Sequence, residues 1–274
     1  SIHIAGSSVD EAIEAAQVYA KQTGAVFLHP FDHRDVIAGQ GTLALELLEQ
    51  IPDLETVVVG VGGGGLVSGI AVALRALRPQ VRIIGVQAAG AAAFPLSLAA
   101  GRPTRLTSCA TLADGIAVGR PGDLTFAHVS KLVDEVVTVG EEDISRGLLL
   151  LLERNKLVVE PAGGVAVAAL LAGVVEVRTP VAAVISGGNI DPMLMLRVIE
   201  HGLAAAGRYL EVRVQCADRP GQLARLLGLI AEHGANVVDV DHSRRDQRLR
   251  LGEVEVDLSM ETRGVEHSDQ VVTA

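Results

Sequence analysis

The chain of 274 residues is acidic and apolar, with a formal net charge of −10 and 49% hydrophobic residues. This length predicts one large or two unequal domains, since a domain usually holds about 100 to 200 residues. The negative charge disfavours nucleic acids and anionic membranes as partners. No apolar run approaches the roughly 20 residues of a membrane span. Two cysteines, Cys109 and Cys216, are too few for a disulfide framework, so we expect a reducing, cytoplasmic location.

One dense basic cluster interrupts the acidic background. It comprises Arg244, Arg245, Arg248 and Arg250, and Asp246 lies within it. Mixed charge of this kind is typical of a solvated surface. We therefore interpret the cluster as a hairpin tip and not as a nucleic-acid site.

The first two thirds of the chain alternate helical and strand patterns. In chain order, the predicted elements are a helix over 9–23, a strand over 25–29, a helix over 41–50, a strand over 56–61, a helix over 66–77, a strand over 81–87, helices over 141–154 and 164–171, a strand over 181–185, and a helix from Asp191 with Pro192 at its first position. The β-branched run at 56–61 is typical of a strand buried on both faces. The alternation predicts an α/β fold with a doubly wound, mainly parallel sheet.

After residue 206 the pattern changes to strict alternation of apolar and polar residues. A strand over 210–216 is followed by a helix over 221–233 and two further strands near 238–241 and 254–260. In the first of these two strands, Val238 and Val240 are predicted to face the core. This pattern predicts a small α+β unit of βαββ order that ends before a final helix and strand.

Four consecutive glycines, Gly62, Gly63, Gly64 and Gly65, separate the strand over 56–61 from the following helix. Glycine N–H groups at a helix N-terminus favour an anion, because no Cβ blocks the approach and the helix dipole adds positive potential. A flexible turn is the plainer alternative, but four glycines cost conformational entropy that a shorter turn would avoid. The sequence therefore predicts a phosphate site here.

The spacing of Gly60, Gly62 and Gly65 also satisfies the dinucleotide pattern G-x-G-x-x-G. That pattern expects an acidic residue at the end of the next strand to bind ribose hydroxyls, but this strand ends in Gln87. A P-loop needs Lys followed by Ser or Thr after the glycines, and this pair is absent. Both nucleotide interpretations are therefore disfavoured.

A second glycine-rich loop, SGGN at 186–189, follows the strand over 181–185. The carboxyl ends of parallel strands meet at one crevice, so the two loops can face the same site. Together with VGGGGL at 61–66, ADG at 113–115 and EPAG at 160–163, this loop resembles the ordered motifs of fold-type II pyridoxal-phosphate enzymes of the threonine dehydratase family. HPFD at 29–32 and VIAGQGT at 36–42 are similar to that family's crossing from its small to its large domain.

The resemblance covers residues from about 8 to about 200 and implies pyridoxal 5'-phosphate as the cofactor. It implies that the tetraglycine loop and the amide of Leu66 hold the cofactor phosphate. Ser186 would hydrogen-bond to the pyridine nitrogen, with a simple cap of its loop as the alternative. Gly115 would permit close approach of the backbone, and Glu160 would either polarise the site or cap the helix near Ala162.

No metal site is expected from the sequence. Racemase relatives bind a divalent metal through acidic residues just after the strand that contains Gly85 and Val86. In this chain the corresponding segment is QAAGAAAF, which offers no carboxylate to a hard cation.

The family reaction uses a Schiff-base lysine, and this chain has three lysines, Lys21, Lys131 and Lys156. None of them lies in the family's Ser-x-Lys-x-Arg setting, so no catalytic residue is identified. We therefore expect a chain truncated at its N-terminus. Residues 1–30 would be a remnant of the small domain and 31–206 the large domain.

Residues 207–274 resemble an ACT domain, and the turn DRPGQL at 218–223 is its most recognisable part. In that family, amino-acid effectors bind near this turn at interfaces between domains. The resemblance implies that Arg219, Pro220, Gly221 and Leu223 contact an effector and that the protein is a homo-oligomer. A purely structural βαββ unit is the alternative.

Three functions are compatible with the sequence. The leading one is a threonine dehydratase, which forms 2-oxobutanoate and ammonia by β-elimination under feedback by isoleucine or valine. A serine dehydratase or a serine racemase-like enzyme shares the cofactor motifs. A non-catalytic regulatory fragment is the third, because the lysine is missing.

Overall fold

A computed structural model describes residues 2–6, 9–244 and 249–274. The chain forms two compact units, Ser1–Met195 and Leu196–Ala274. Across the described ranges, no helix is both long and apolar enough to cross a membrane.

The basic cluster is described only in part. Arg245, Asp246 and Arg248 lie outside the described residues. The guanidinium of Arg244 forms an ion pair with the exposed carboxylate of Asp218, with 2.8 Å between Nε and Oδ2. The side chain of Arg244 is therefore engaged with an acid of the same unit.

The first unit alternates helices and strands. Its elements are α1 (Val9–Thr23), α2 (Arg34–Gln50), β1 (Thr56–Gly60), α3 (Gly65–Leu77), β2 (Arg82–Ala88), α4 (Ala93–Ala100), α5 (Asp123–Leu132), β3 (Glu135–Val139), α6 (Glu141–Leu150), α7 (Pro161–Ala172) and β4 (Val181–Ala183), followed by α8 (Pro192–Ala205), which extends into the second unit. The four strands are parallel in the order β3-β2-β1-β4. The predicted α/β fold with a parallel sheet is confirmed.

The core of this unit surrounds β1. Val57, Val58 and Val59 are fully buried, as the continuous apolar run predicts. Helix α3 packs on this strand through buried residues such as Ile70 and Leu74. Because β1 and α3 are both fixed by the core, the glycine loop that joins them starts and ends on rigid elements.

The second unit is a small α+β structure. It contains β5 (Tyr209–Ala217), α9 (Gln222–Glu232), β6 (Asn236–Ser243), β7 (Glu253–Glu261) and α10 (Val265–Thr273). Its strands form an antiparallel sheet in the order β5-β7-β6. The predicted small α+β unit with βαββ order is confirmed, while the boundary at 206/207 stays a prediction.

Helix α10 corrects the expectation that the chain ends before a further helix. Val271 of this helix packs against the core of the second unit. The Nδ1 atom of His267 accepts a hydrogen bond from the Arg263 N–H, so Nε2 carries the proton and donates to the His233 carbonyl at 2.8 Å. These contacts stabilise a segment whose sequence has no strong helical pattern.

Two other expectations for the first unit are wrong. The segment 25–29 is not a strand, since it pairs with no strand among the described residues and Val26 is 95% exposed. Helix α2 begins at Arg34 and not at Gly41. A Cβ at Gly41 would lie 3.0 Å from the carbonyl oxygen of Gly69, so these glycines mark a close helix crossing and do not break the helix.

Strand β6 contains a bulge that changes which valine faces the core. The register shifts between Val237 and Asp239, so Val237 packs against the core of the second unit whereas Val238 is exposed. The expectation that Val238 faces inward is therefore wrong, while that for Val240 is correct. An extra residue in one strand reverses the alternation of side chains, and a strict period-2 pattern misses it.

We expect Val237→Ser to lower the free energy of unfolding by about 1 to 2 kcal/mol, because it removes apolar contacts from the core. The matched substitution Val238→Ser should change it by less than about 0.5 kcal/mol, because that side chain is exposed. Urea denaturation of both variants measures the difference. A larger loss for Val238→Ser would contradict the bulge.

Candidate functional site

A cavity of about 310 Å³ lies where β1 ends and α3 begins. All eight residues predicted to contact the cofactor line it: Gly62, Gly63, Gly64, Gly65, Leu66, Gly115, Glu160 and Ser186. They come from four separate segments of the chain. The structure therefore brings the predicted motifs together at the carboxyl end of the parallel sheet, where α/β folds bind ligands.

The glycine loop presents hydrogen-bond donors. The carbonyl oxygens of three neighbouring residues all have partners: Val61 accepts from Gln87 Nε2, Gly63 from Thr125 Oγ1, and Gly64 from the Ser68 N–H. The N–H groups from 62 to 66 donate to no acceptor in the part of the chain that the structure describes. Unpaired N–H groups at the start of α3 suit an anion, because the helix dipole is positive there.

Aromatic rings surround the loop closely. A Cβ at Gly63 would overlap the ring of Phe31, and a Cβ at Gly64 would lie 2.6 Å from Phe94 Cζ. Gly64 also has φ of +96°, a conformation that favours glycine. The glycines are therefore required by space and by backbone conformation.

Gln87 occupies the position at which a dinucleotide fold would carry an acid. It is fully buried, and its Nε2 donates to the Val61 carbonyl at 3.1 Å while its Oε1 accepts from the Phe94 N–H at 2.8 Å. Both ends of this amide are thus used to fix the loop and the start of α4. It has no group left for a ribose.

Glu160 and Ser186 supply the polar side chains of the cavity. A Cβ at Gly187 would overlap the Glu160 carboxylate, and one at Gly115 would lie 3.8 Å from Glu160 Oε1. Glu160 is the N-cap residue of α7, but its side chain makes no capping hydrogen bond. Ser186 is exposed and its hydroxyl has no hydrogen-bond partner within the described residues. Both groups are therefore available to a ligand.

The HPFD segment organises one wall of the site, a role that the sequence analysis missed. His29 Nδ1 accepts from the N–H groups of Phe31 and Asp32 at 3.3 and 2.8 Å. The carboxylate of Asp32 accepts three hydrogen bonds of 3.0 Å from N–H groups in the first turn of α5. The N-cap preference of aspartate was a usable signal, but its helix lies about 90 residues away in sequence.

Burial lowers the pKa of His29 below its ordinary value of 6.5, and nearby His33 lowers it further, while Asp32 opposes the shift. The neutral ring is the form that accepts at Nδ1. The environment of His29 therefore favours the protonation state that the turn requires.

None of the three lysines lines the cavity. Lys21 lies in the last turn of α1 and Lys131 in the last turn of α5. The Nζ atom of Lys156 donates to the carbonyl of Glu153 at 2.8 Å. The cavity of this chain offers donors and carboxylate but no amine.

The predicted effector turn lies between β5 and α9. Gly221 is the N-cap residue of α9 with φ of +87°, which explains why glycine is suited there. Arg219 and Pro220 are exposed and Leu223 is half-buried. A cavity of about 450 Å³ in the same unit is lined by other residues, mainly apolar ones between α9, α10 and the sheet.

Comparisons with known proteins agree with these features. A family model described as pyridoxal-phosphate dependent enzyme matches residues 1–187, and a model described as ACT domain matches residues 210–272. An L-threonine ammonia-lyase of Thermotoga maritima is 48% identical over 97% of this chain and 66% of its own length.

Two solved structures are also similar to this chain. The crystal structure of a T.th. threonine deaminase is 40% identical with a TM-score of 0.62, and the match covers 65% of this chain and 62% of that one. The structure of maize serine racemase is 34% identical with a TM-score of 0.66, covering 74% of this chain and 64% of that one. The chain thus spans about two thirds or less of the length of these three relatives.

We expect Gly64→Ala to lower the free energy of unfolding by about 2 to 4 kcal/mol, because the new methyl group meets Phe94 in a left-handed backbone conformation. Gly101→Ala is the matched control, since Gly101 also has a positive φ but open space around its Cβ position. It should cost about 1 to 2 kcal/mol. Equal losses in urea denaturation would show that the ring does not constrain the loop.

We expect stability to fall as the pH drops from 7.5 to 5.5, with a contribution from His29. Its pKa is lower in the folded than in the unfolded chain, so folding favours the neutral ring; this stability is present above 6.5 and is lost as the pH falls through the folded value. His29→Asn keeps an acceptor but does not titrate in this range. Its melting temperature should depend less on pH than that of the unsubstituted chain, and identical pH profiles would contradict this assignment.

Proposed function

Because the chain belongs to the family of pyridoxal-phosphate dependent enzymes, we propose that its cavity binds pyridoxal 5'-phosphate and that the whole protein is a threonine ammonia-lyase. The observation that carries the proposal is the convergence of unpaired loop N–H groups, the Ser186 hydroxyl and the Glu160 carboxylate on one cavity of about 310 Å³. A phosphorylated ring with a basic nitrogen matches this set of groups.

The glycine loop fits the phosphate group of this cofactor. Its N–H groups from Gly62 to Leu66 would donate to phosphate oxygens, and the dipole of α3 would stabilise their charge. The missing Cβ atoms let Phe31 and Phe94 pack against the loop and hold it in this conformation. When bound, pyridoxal phosphate supplies an electron-withdrawing ring that stabilises negative charge at the α-carbon of an amino acid.

Ser186 and Glu160 would act on the ring. A serine hydroxyl at the pyridine nitrogen leaves that nitrogen largely neutral, whereas a carboxylate would protonate it. A neutral nitrogen weakens the electron sink and favours rapid β-elimination. Glu160 lies beside Gly115 and Gly187 and would polarise the site, since its side chain does not cap α7.

Threonine is the proposed substrate, and 2-oxobutanoate and ammonia are the proposed products. The T. maritima relative carries the name L-threonine ammonia-lyase at 48% identity, whereas maize serine racemase is 34% identical. A serine dehydratase or racemase is the second candidate, because the cavity residues alone do not distinguish a hydroxymethyl from a hydroxyethyl side chain.

The second unit contains an ACT domain over residues 210–272, and we propose that it binds an amino-acid effector such as isoleucine or valine. The exposed turn with Arg219, Pro220, Gly221 and Leu223 would contribute to that site. We propose further that the protein is a cytoplasmic homo-oligomer. We also propose that the chain divides into a catalytic region over 1–206 and a regulatory domain over 207–274.

The whole protein should release 2-oxobutanoate from threonine, and Ser186→Asp should lower that turnover by about tenfold or more, because a carboxylate changes the protonation of the ring nitrogen. Coupled assays of 2-oxo acid formation from threonine and serine, with chiral analysis of serine, measure this. Predominant formation of pyruvate or D-serine would favour the second candidate. Release of no product from either substrate would contradict the enzyme function.

The chain of 274 residues should bind pyridoxal phosphate reversibly, because none of its lysines lines the cavity. Treatment with borohydride, which fixes the cofactor to an amine, should leave Lys21, Lys131 and Lys156 unlabelled in peptide mass spectra. Stoichiometric labelling of one of them would contradict the site assignment.

Titration calorimetry with isoleucine, valine and threonine tests whether the ACT domain binds an amino-acid effector. No heat from any of the three would reject effector binding by this chain.

A further inference from the structure

We propose that Thr125 is a positioning residue that sets the orientation of the Gly63–Gly64 peptide, and that Asp32 holds Thr125 in place. The inference deepens the proposed function, because it assigns how the phosphate-binding loop is kept ready for its ligand. It rests on contacts that connect three segments distant in sequence: HPFD at 29–32, the glycine loop and the first turn of α5.

The hydroxyl of Thr125 makes one short hydrogen bond. Its Oγ1 lies 2.6 Å from the carbonyl oxygen of Gly63 and 3.3 Å from that of Gly122. A hydroxyl has one proton to donate, so the shorter contact to Gly63 is the dominant one. Thr125 is fully buried, and water does not compete for this bond.

This bond fixes the direction of the next N–H group. Thr125 is not among the residues that line the cavity, so the Gly63 carbonyl is turned out of it. In a trans peptide the carbonyl oxygen and the following N–H lie on opposite sides of the bond. The Gly64 N–H is therefore turned away from Thr125, with no acceptor in the described chain.

A peptide between two glycines needs such a constraint. With no Cβ on either side, glycine backbone visits both signs of φ with little steric penalty, so the peptide plane can rotate. Rotation would bring the carbonyl oxygen towards the position of the phosphate and remove an N–H donor. A carbonyl dipole repels an anion where an N–H attracts it, so orientation decides whether the loop binds phosphate.

Asp32 fixes the turn that carries Thr125. Its carboxylate accepts hydrogen bonds of 3.0 Å from the N–H groups of Asp123, Leu124 and Thr125. Negative charge at the N-terminus of α5 is stabilised by the helix dipole. A Cβ at Gly122 would overlap the Asp32 side chain, which explains why glycine precedes the helix. The carboxylate thus holds the Thr125 backbone within reach of Gly63.

The test uses equilibrium dialysis with the chain of 274 residues. It compares the affinity for pyridoxal 5'-phosphate with that for pyridoxal, which lacks the phosphate. Thr125→Val keeps the side-chain volume but removes the donor. It should weaken binding of the phosphorylated form about tenfold or more and leave binding of pyridoxal within about twofold. Thr125→Ser restores a hydroxyl and should recover most of the affinity.

The matched control is Thr56→Val. Thr56 is also fully buried and its hydroxyl also donates to a backbone carbonyl, that of Arg178 at 2.8 Å, but it lies at the opposite end of β1. It should lower the melting temperature and leave the ratio of the two affinities unchanged. In the Thr125→Val background, Asp32→Ala should cause little further loss of the ratio, because both residues act through one bond.

The outcomes separate the two proposals. If the unsubstituted chain binds neither compound, or binds both equally, the proposed phosphate site fails and this inference fails with it. If it prefers the phosphorylated form but Thr125→Val keeps that preference, only the positioning role is overturned. An unchanged amide resonance of Gly64 in Thr125→Val would overturn it as well, independently of any ligand.

Discussion

The packing around the tetraglycine loop is the constraint on which the site depends. Phe31 covers one side of the loop, and Phe94 and Thr125 face Gly64 on another, so that no Cβ fits at Gly63 or Gly64. Close packing of this kind leaves the loop one arrangement, although its sequence alone would be unusually flexible. The entropy that four glycines lose on folding is thus offset by contacts that come from outside the loop.

These contacts join parts of the chain that are distant in sequence. Phe31 and Asp32 belong to one short turn, which His29 organises through its Nδ1 atom. The turn therefore contacts the glycine loop directly through a ring and indirectly through the first turn of α5. A change in this segment would reach the cavity by both routes.

The sequence predicted the fold class because its patterns are strong where the core is regular. Helix α1 and strand β1 follow from local composition and strand β7 from the alternation of apolar and polar residues, and the glycine loop lies where the pattern places it. The start of α2 was missed because Gly39 and Gly41 are poor helix formers. In the structure Gly41 lies against Gly69 of α3, so this glycine permits the two helices to cross closely. Segment 25–29 has a strand composition, but composition does not supply a pairing partner.

The sequence predicted the residues that line the candidate site but not the hydrogen bonds that hold them in position. Every cofactor-binding residue predicted from the motifs lines the cavity. The tetraglycine loop and Ser186 follow strands of the parallel sheet, whereas Gly115 and Glu160 come from segments between helices. The supporting bonds from Asp32 to α5 and from Thr125 to Gly63 span more than 60 residues, and no local pattern indicates them. The roles of side chains that act through hydrogen bonds between distant segments can therefore be recognised only in the folded structure.

Gln87 shows why one glycine spacing can serve different ligands. A carboxylate at this position could accept from the Phe94 N–H but could not donate to the Val61 carbonyl, and burial would place a charge where no water reaches. The amide instead satisfies both groups and fixes Val61, the residue directly before the loop. The residue that disfavours a dinucleotide is thus also one that holds the glycine loop in place.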